Sequence, residues 1–535
     1  MKKHLEQRRY LSHFQTRDLP HIFTEVLVVG SGAAGLRAAI EAASFAKVLI
    51  VTKDKLREGS TEYAQGGVAA VFAQQDSFDE HVRDTLETGQ GLSDPDVVRA
   101  IVSDGPDRIR ELIAWGAQFD SEDGGLALAR EGGHSQARIV HAKGDATGAE
   151  IEATLAARIQ GIRNIRVMAN AFAVDLITDE GVCYGAVVHT RESGNMLVWA
   201  RATILATGGC GRLFRETTNP DVVTGDGFGL AYRAGAALRD MEFVQFHPTT
   251  LYIAGASRAL ISEAVRGEGA ILRNSSGERF MPNYDPDAEL APRDVVSRAI
   301  VCEMKRTGAT NVFLDVTHMP PGHFAQRFPN IHRICSEFDI DVTTDFIPVR
   351  PSAHYMIGGV KVDLDGHSSI ERLFAAGEVA SSGLHGANRL GSNSLLEALV
   401  LGRRAGRAAG ELAASRAENL VPRTINSQIE AAEPRALIVA DVENALRALM
   451  WRHVSIERNA DGLAAAENAV DTWCSYVMDR EFEAPAGWRL QDMLTLAKII
   501  IVCARQRTET RGVHFREDFP QPSEAWLRHS IIQRG

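Results

Sequence analysis

The sequence predicts a multidomain α/β protein with a Rossmann-like domain, an inserted capping domain and a C-terminal helical bundle. Residues 24–30 are an apolar, β-branched run that ends in glycine, residues 35–46 carry Ala and Leu at helical spacing, and residues 47–52 are a second apolar run. Together they indicate a β–α–β unit. Residues 241–349 are richer in Pro, Arg and Phe. The glycine-rich pattern returns from about 352 to 407, and the pattern is helical from about 424 onward.

These changes of pattern predict four segments: the first part of the Rossmann-like domain (24–240), the capping domain (241–351), the second part (352–415) and the helical domain (420–535). We expect residues 1–23 to form a flexible arm. Further strands are expected at 165–168, 171–177, 182–190 and 197–207, and residues 494–504 should form a core helix. The spacing of five apolar residues predicts one helix face, formed by Ile438, Val442, Ala445, Leu446 and Leu449.

Composition excludes several classes of protein. The 535 residues include 58 basic and 69 acidic side chains, a net charge of −11, which argues against binding to nucleic acid or to an anionic membrane. No two of the six cysteines lie within four residues of each other, so neither a CxxC metal site nor a disulfide scaffold is expected. We expect no metal, no secretory signal, no transmembrane helix and a cytoplasmic location.

A GxGxxG fingerprint follows the first predicted strand, formed by Gly30, Ser31, Gly32, Ala33, Ala34 and Gly35. The first glycine allows a tight turn, the second lets the backbone approach a pyrophosphate and the third lets the helix pack on the strand. An ordinary turn is the alternative, and the strand before and the helix after argue against it. The usual ribose-binding acid is replaced by Thr52 and Lys53, so backbone and Lys53 are expected to make that contact.

A second glycine-rich stretch, GSTEYAQGG (59–67), favours FAD over a nicotinamide cofactor. Its paired glycines would let backbone lie against a flat ring system, and its hydroxyls could bond phosphate; a loop without function is the alternative. Candidate flavin contacts here are Ser60, Thr61, Gln65, Gly66 and Gly67. Thr207 and Gly208 end another strand, and Glu378 follows a strand and a glycine in a form that suits a ribityl hydroxyl.

Eight short motifs follow one another along the chain: SGAAG (31–35), GSTEYAQGG (59–67), ATGG (206–209), FHPT (246–249), RGEG (266–269), APRD (291–294), AGE (376–378) and GANRLGSNSLLE (386–397). Over roughly residues 24–410 the chain resembles the succinate dehydrogenase and fumarate reductase flavoproteins. The resemblance implies FAD as cofactor and adds Ala173, Asp226, Ser394 and Leu395 to its contacts, although Asp226 could instead be a turn residue. Membrane-bound members bond FAD to a histidine; Ser60 stands there, so the flavin should be non-covalent.

The segment REGGHS (130–135) resembles the version found in aspartate-oxidising members of the family, in which the glutamate addresses the substrate amino group. The resemblance implies oxidation of L-aspartate to iminoaspartate, with O2 or fumarate as electron acceptor, as the first step of NAD biosynthesis. It also implies delivery of the imine to quinolinate synthase. The helical C-terminal part, in which Arg505–Arg511 is followed by GVHF (512–515), also resembles this subgroup. For the cluster of Arg505, Arg507 and Arg511 itself, a surface or interdomain role is favoured.

A pocket for aspartate needs cations for two carboxylates and an anion for the ammonium. Arg389 can grip a carboxylate through two parallel hydrogen bonds, and His354 and His247 can serve the other. Glu131 supplies the anion, and we expect it to be ionised among these cations. Ser262 offers a hydroxyl where fumarate reductases usually carry threonine, and Gln245 would face the same cavity on a strand.

Arg293 matches the position that carries the acid/base role in the family. Because the pKa of an arginine exceeds about 12, proton donation or plain charge and orientation are both open for it. Two other functions remain as alternatives: a soluble fumarate reductase or succinate dehydrogenase flavoprotein subunit, for which Glu131 would bring only repulsion, and a non-catalytic FAD-binding module.

Overall fold

The computed structural model describes residues 8–253, 259–416, 420–429 and 437–535. The α-helices in these ranges are Ala33–Ala42 (α1), Phe78–Thr88 (α2), Pro95–Ala114 (α3), Thr147–Gln160 (α4), Asp226–Arg233 (α5), Glu263–Gly267 (α6), Arg293–Thr307 (α7), His323–Arg327 (α8), Pro329–Glu337 (α9), Asn393–Ser415 (α10), Val439–His453 (α11), Ala460–Val477 (α12) and Pro485–Gln506 (α13).

The strands form one five-stranded, three four-stranded, one three-stranded and three two-stranded sheets in the described ranges. In spatial order, the five-stranded sheet consists of Ile165–Met168, Val48–Val51, Val26–Val29, Ala202–Leu205 and Leu373–Ala375. The three four-stranded sheets consist of Ala171–Asp179, Val182–Thr190, Gly194–Trp199 and His21–Phe23; of Ala380–Ser381, Gly359–Lys361, Leu238–Arg239 and Ile531–Ile532; and of Val244–Leu251, Ile347–Met356, Val312–Asp315 and Ile271–Arg273. The three-stranded sheet consists of Val68–Ala69, Ile139–Val140 and Leu128–Ala129, and the two-stranded sheets pair Phe14–Gln15 with Asn426–Ser427, Glu457–Arg458 with Phe515–Arg516, and Ser121–Glu122 with Gly125–Leu126.

The five-stranded sheet is parallel throughout, and its strands other than the edge strand Ile165–Met168 bury their Val, Ile and Leu side chains, as strands covered on both faces should. The β–α–β unit predicted from the sequence is confirmed: Val26–Val29 and Val48–Val51 pair in parallel, with α1 between them in the chain. A Cβ on Gly35 would overlap the carbonyl oxygen of Gly30, so the third glycine of the fingerprint does allow the helix to pack on the strand.

Helix α10 lies along α1, and glycines make the close approach possible. Gly402, Gly406 and Gly410 recur every fourth residue on one side of α10, and a Cβ on each would come within about 3 Å of atoms in Ala34, Ala38 and Ala42–Phe45 respectively. The approach fixes the N-terminus of α10 beside the N-terminus of α1, where the carboxyl ends of the parallel strands also lie.

The segment predicted as a capping domain has its own hydrophobic core, which spans Leu251 to Val349. This core packs on the four-stranded antiparallel sheet that contains the two long strands Val244–Leu251 and Ile347–Met356. These two long strands run back into the rest of the protein at the cavity described below. The four domain boundaries remain predictions.

The expectation of a flexible arm at residues 1–23 is wrong for residues 8–23, the part that the structure describes. Tyr10, Leu11 and Phe14 are buried in a cluster with Phe172 and Trp488. The segment then adds strand His21–Phe23 in parallel to Gly194–Trp199. The three apolar residues are too few and too scattered to signal a strand or helix, because their partners are distant in the chain.

The C-terminal helices pack on one another, and the prediction of a core helix at 494–504 is confirmed within α13. The helix face predicted within residues 438–449 falls on α11 and is only partly right. Val442 and Leu446 are buried, but Ala445 is exposed, and Ile438 precedes α11 and is also exposed. Across the described residues, no helix combines the length and hydropathy that a membrane crossing requires.

A buried ion cluster connects three parts of the chain. Arg233 at the end of α5 donates to Asp175 from Nε at 2.9 Å and also pairs with Asp492 of α13. The other oxygen of Asp175 accepts the backbone N–H of Leu11 at 2.6 Å. The N-terminal segment, the sheet and the helical part therefore meet at one charge-paired centre.

Candidate active site

One cavity gathers residues from nearly the whole first 400 positions. Of the candidate cofactor residues, all but Gly35 line it, and Gly35 lies behind it at the helix–strand contact. Those in the wall are Gly30, Ser31, Gly32, Ala33, Ala34, Lys53, Ser60, Thr61, Gln65, Gly66, Gly67, Ala173, Thr207, Gly208, Asp226, Glu378, Ser394 and Leu395. Of the candidate catalytic and substrate residues, Glu131, His247, Ser262, Arg293, His354 and Arg389 also line it, whereas Gln245 does not.

The N-terminus of α1 opens into this cavity, and its N-cap residue, Gly32, has no side chain with which to cap it. Among the described residues, the N–H of Ala33 donates to Thr61 Oγ1 at 3.2 Å. The remaining N–H groups of the first turn and the helix dipole make a ready site for a pyrophosphate. Within the described part of the chain, Thr207 Oγ1 and Gln65 Oε1 are buried here without a hydrogen-bond partner, as expected of a site that fits a large polar cofactor.

Lys53 does not stand alone at the expected ribose position. Its ammonium pairs with Asp226 at the start of α5 and donates to Thr224 Oγ1 at 2.8 Å. Thr224 in turn donates to Asp226 Oδ1 at 2.6 Å. Asp226 is therefore bonded to Lys53 across the cavity wall rather than only to its own turn, and the pair carries no net charge.

Glu378 is a buried carboxyl on the same wall. Burial raises the pKa of Glu378 to about 7, although the N–H of Met356 donates to its Oε1 at 2.8 Å. A Cβ on Gly209 would overlap this carboxyl, so a glycine is required opposite it. A carboxyl group that is protonated part of the time both donates and accepts hydrogen bonds, which suits a sugar-alcohol hydroxyl.

Two arginines define the other end of the cavity. Arg293, the first residue of α7, donates from Nε to Glu263 Oε2 at 2.5 Å and from Nη1 to Gln245 Oε1 at 3.3 Å. Gln245 thus acts behind Arg293 rather than in the cavity wall. The guanidinium of Arg389 lies 4.4 Å over the ring of Tyr355, and its buried Nε has no hydrogen-bond partner among the residues that the structure describes. Burial lowers the pKa of Arg389 to about 10, which still leaves it charged at neutral pH.

The two candidate histidines face each other edge to face, with ring centroids 5.1 Å apart. Burial first, and the nearby arginines with it, lower the pKa of His247 and of His354 well below the usual range, so both rings are neutral. The backbone N–H of Thr249 lies 3.3 Å from His247 Nδ1, which must therefore accept, so the proton of His247 sits on Nε2. His354 Nδ1 shares a 2.9 Å hydrogen bond with Thr218 Oγ1.

Glu131 lies between the glycine-rich loop at residues 59–67 and the two arginines, Arg293 and Arg389. Its Oε2 accepts from Ser392 Oγ at 2.8 Å, and a Cβ on Gly66 would stand 3.3 Å from its Oε1. Burial and then the carboxylate of Glu263 raise the pKa of Glu131, while Arg293 opposes the shift. For Glu263, burial is more than offset by Arg293 and Arg266, and its pKa is held below the usual range.

The direction of the Glu131 pKa contradicts the expectation that this carboxyl is simply ionised among cations. The sequence interpretation counted one acid in the pocket, whereas the structure places two, and Glu263 takes the direct ion pair with Arg293. Glu131 is the less firmly ionised of the two. A ligand ammonium beside it would restore the balance of charge.

Several residues of the cavity were not anticipated from the sequence: Glu263, Tyr355, Ser392, Thr218 and Asn219. Tyr355 directly follows His354, Glu263 directly follows Ser262, and Ser392 lies within the GANRLGSNSLLE motif (386–397), so these positions were the available signal. Thr218 and Asn219 lie in no motif. Asn219 donates to the carbonyl of His354 at 3.3 Å and approaches Ser60 Oγ at 3.5 Å.

The Arg505, Arg507 and Arg511 cluster lies outside the cavity. Arg507 is completely buried between Glu242 and Glu509, Arg511 pairs with Glu509, and Arg505 pairs with Glu467. For this cluster, a role between parts of the chain is therefore favoured over a surface role. In the described ranges there is no group of three or more His, Cys, Asp or Glu side chains arranged to hold a metal ion.

An uncapped helix N-terminus over a parallel sheet and an arginine-rich end together fit an FAD-dependent oxidoreductase. Residues 25–395 match the family described as FAD binding domain, and residues 443–535 match the one described as fumarate reductase flavoprotein C-term. The chain belongs to the succinate dehydrogenase and fumarate reductase flavoprotein family, in its L-aspartate oxidase branch.

Two relatives and one solved structure illustrate the match. The L-aspartate oxidase of Streptomyces coelicolor is 43% identical over 96% of this chain and 92% of its own length. A chloroplastic L-aspartate oxidase of Nicotiana tabacum is 42% identical over 96% of this chain and 85% of its own length. A variant of the E. coli quinol fumarate reductase chain FrdA superposes with a TM-score of 0.88 at 32% identity, covering 96% of this chain and 94% of that one.

Proposed function

We propose that this protein oxidises L-aspartate to iminoaspartate with FAD as cofactor, as the first step of NAD biosynthesis, with O2 or fumarate taking the electrons. The observation that carries the proposal is the carboxyl of Glu131 at the arginine-rich end of the cavity, where Glu263 already takes the direct ion pair with Arg293. A plain dicarboxylate would gain nothing from Glu131, whereas the ammonium of aspartate gives it a partner.

The residues present fit FAD. The uncapped N-terminus of α1 would hold the pyrophosphate, Lys53 and Asp226 would face the ribose end, and Glu378 would meet a ribityl hydroxyl. When bound, FAD supplies the two-electron acceptor for the hydride that leaves the substrate Cα. We further propose that it is held without a covalent bond, because Ser60 offers only a hydroxyl where covalent members carry histidine.

The substrate end divides its work among the charged residues. Arg389, with an unpartnered Nε, binds one carboxylate, and the Nε2–H of His247 donates to the other together with His354. Glu131 accepts the amino group. Arg293 is held by Glu263 and Gln245, so its charge is oriented before substrate arrives.

A ligand panel tests the proposal. With oxygen excluded, aspartate should reduce the flavin of the purified holoenzyme and succinate should not; reduction by succinate alone would instead identify a succinate dehydrogenase or fumarate reductase. Glu131→Gln removes the negative charge at nearly constant volume. It should weaken aspartate binding by about ten- to a hundredfold, the loss of a hydrogen bond to a charged group, and leave succinate binding equal or stronger. Equal weakening of both ligands would show that Glu131 is structural.

Two finer points belong to the same proposal. An imine in water is short-lived, which supports transfer of the product to quinolinate synthase as a functional partner; no protein–protein contact is implied by the residues described. A cytoplasmic location also stays a prediction, based on the sparse and unpaired cysteines.

A further inference from the structure

A buried cluster lies directly behind the turn that carries Glu131. Its centre is Arg138, whose side chain is completely buried. Arg138 donates from Nε and Nη2 to both oxygens of Asp76, at 2.9 and 2.8 Å, and from Nη1 to Asp84 Oδ2 at 2.5 Å. Asp84 lies on α2 and also accepts from the N–H and hydroxyl of Ser135, both at 2.8 Å. The cluster ties the end of the 130–135 segment to α2.

Arg138 also determines the tautomer of His134. Its Nη1 lies 3.2 Å from His134 Nδ1, and a guanidinium can only donate, so Nδ1 must carry the lone pair. The proton is then on Nε2, which donates to the carbonyl oxygen of Gly391 at 3.0 Å. Burial lowers the pKa of His134 to about 4, so the ring stays neutral and this arrangement persists at neutral pH.

His134 reaches Glu131 by two routes. Along the chain, the N–H of His134 donates to the carbonyl of Glu131 at 3.2 Å, closing a turn in which Gly133 has a φ of +79°. Through space, the bond to Gly391 fixes the residue before Ser392, whose hydroxyl donates to Glu131 Oε2. The backbone and the carboxyl of Glu131 are thus both held in relation to one imidazole.

We infer that His134 is a positioning residue for Glu131: it joins the 131–135 turn to the N-terminus of α10, and so places the carboxyl that selects an amino dicarboxylate over a plain one. The inference rests on the proposed function, because it assigns the selectivity to Glu131. His134 is not in the cavity wall. Its ring bonds Arg138 and Gly391 and its backbone bonds Arg130 and Glu131, so its link to the substrate end runs through Glu131 and Gly391.

The chain contains a matched control. His514 is also buried and has the same bonding: Arg458 Nη1 lies 2.8 Å from its Nδ1, and its Nε2 donates to the carbonyl of Arg507 at 3.1 Å. It is not in the cavity wall. Replacing His514 should therefore disturb packing as much as replacing His134, without moving Glu131.

The experiment compares His134→Leu, His134→Gln and His514→Leu in the FAD-loaded enzyme, with aspartate and succinate titrated against the flavin spectrum. His134→Leu should weaken aspartate about tenfold, the loss expected for one hydrogen bond to a charged group, and change succinate less than twofold. His134→Gln can still accept from Arg138 and donate to Gly391, so it should recover most of the selectivity. His514→Leu should leave the aspartate-to-succinate ratio unchanged.

Adding Glu131→Gln completes a double-mutant cycle, in which His134→Leu should have no further effect on aspartate once the carboxylate is gone. If Glu131→Gln removes the selectivity but His134→Leu does not, or if His514→Leu shifts the ratio equally, the positioning role is overturned and the proposed function stands. If the wild-type protein shows no preference for aspartate over succinate, both are overturned. Should His134→Leu fail to fold, His134→Gln in the same cycle decides, since a selectivity lost with glutamine in place would also contradict the inference.

Discussion

At the scale of single residues, the candidate active site depends on an unequal pair of carboxyls. Glu263 forms the direct ion pair with Arg293, whereas Glu131 keeps only a hydroxyl donor and feels the repulsion of Glu263. The sequence supplied the cations and one acid correctly as candidates, because motifs mark them. It could not supply the balance between the acids, because that depends on distances set by α6, α7 and the 131–135 turn.

The raised pKa of Glu131 predicts how aspartate binding depends on pH. An ammonium binds the ionised carboxylate, so protons compete with aspartate below the pKa of Glu131 and affinity should rise with pH, at most tenfold per unit, then level off above that pKa. His247 and His354 have lowered pKa values and stay neutral throughout. Above about pH 5, where the carboxylates of free aspartate are ionised, titrations of the flavin spectrum should show this rise.

Succinate provides the control for this pH profile above about pH 7, where both of its carboxylates are ionised. Because it has no ammonium, it should not bind more tightly as the pH rises further. Glu131→Gln should flatten the aspartate profile. A rise that persists in this variant would assign the titration to another group.

Arg293→Leu should strongly reduce turnover while leaving the flavin bound. Arg293 is fixed by Glu263 and Gln245 at the substrate end, so its loss removes an oriented charge, a loss that commonly lowers kcat by about 10²–10³-fold. The measurements are steady-state turnover and flavin content. Arg298→Leu, on the same helix but paired with Asp294 outside the cavity, should change neither. Retained turnover in Arg293→Leu would contradict a catalytic role, and loss of flavin would indicate a structural one.

At the scale of elements, local sequence patterns located the strands and helices that carry their own signal. The strands at 165–168 and 182–190 match the predicted bounds, and the predicted strand at 197–207 divides into Gly194–Trp199 and Ala202–Leu205. Runs of β-branched residues and alternation of apolar and polar residues allow such strands to be predicted. The order of the N-terminal segment could not be predicted, because it depends on packing against Phe172 and Trp488, which are far away in the chain.

Phe14→Ala tests that packing. Phe14 is 2% exposed, and truncating a buried phenylalanine costs about 3–5 kcal/mol in the free energy of unfolding. Denaturant or thermal unfolding of the variant should show a correspondingly lower midpoint. Phe23→Ala is the matched change in the same segment, and because Phe23 is 50% exposed it should have a small effect. Equal, negligible effects of both changes would restore the flexible arm.

At the scale of the whole molecule, the cavity is where distant parts of the chain meet. Its wall draws on residues from Val29 to Ala398, including the loop before α2, strand Val244–Leu251 and the N-terminus of α10. The order of the motifs along the sequence predicted that they belong to one site. Their three-dimensional arrangement could not be derived, because it depends on the packing of α10 on α1 and on the return of the long strands from the second hydrophobic core.

Because the wall is so widely drawn, FAD should stabilise the whole fold by linkage. A ligand that binds only the folded state at a hundred times its Kd raises the free energy of unfolding by about 2.7 kcal/mol. Protein stripped of flavin should therefore unfold at a lower temperature and recover when FAD is added. A flavin that remains with the denatured chain would contradict the non-covalent attachment proposed from Ser60.

Gly30→Ala should weaken this linkage selectively. A Cβ on Gly30 would overlap the carbonyl oxygen of Ala206, whose neighbour Thr207 lines the cavity, and the φ of Gly30 is +111°. Gly116→Ala is the control, because Gly116 has a similar φ of +106° but open space around its Cβ. Both variants carry the same backbone strain, so a thermal shift on adding FAD that is reduced in Gly30→Ala and intact in Gly116→Ala isolates the close approach at the fingerprint. Equal shifts in the two variants would mean that the fingerprint glycine serves backbone conformation alone.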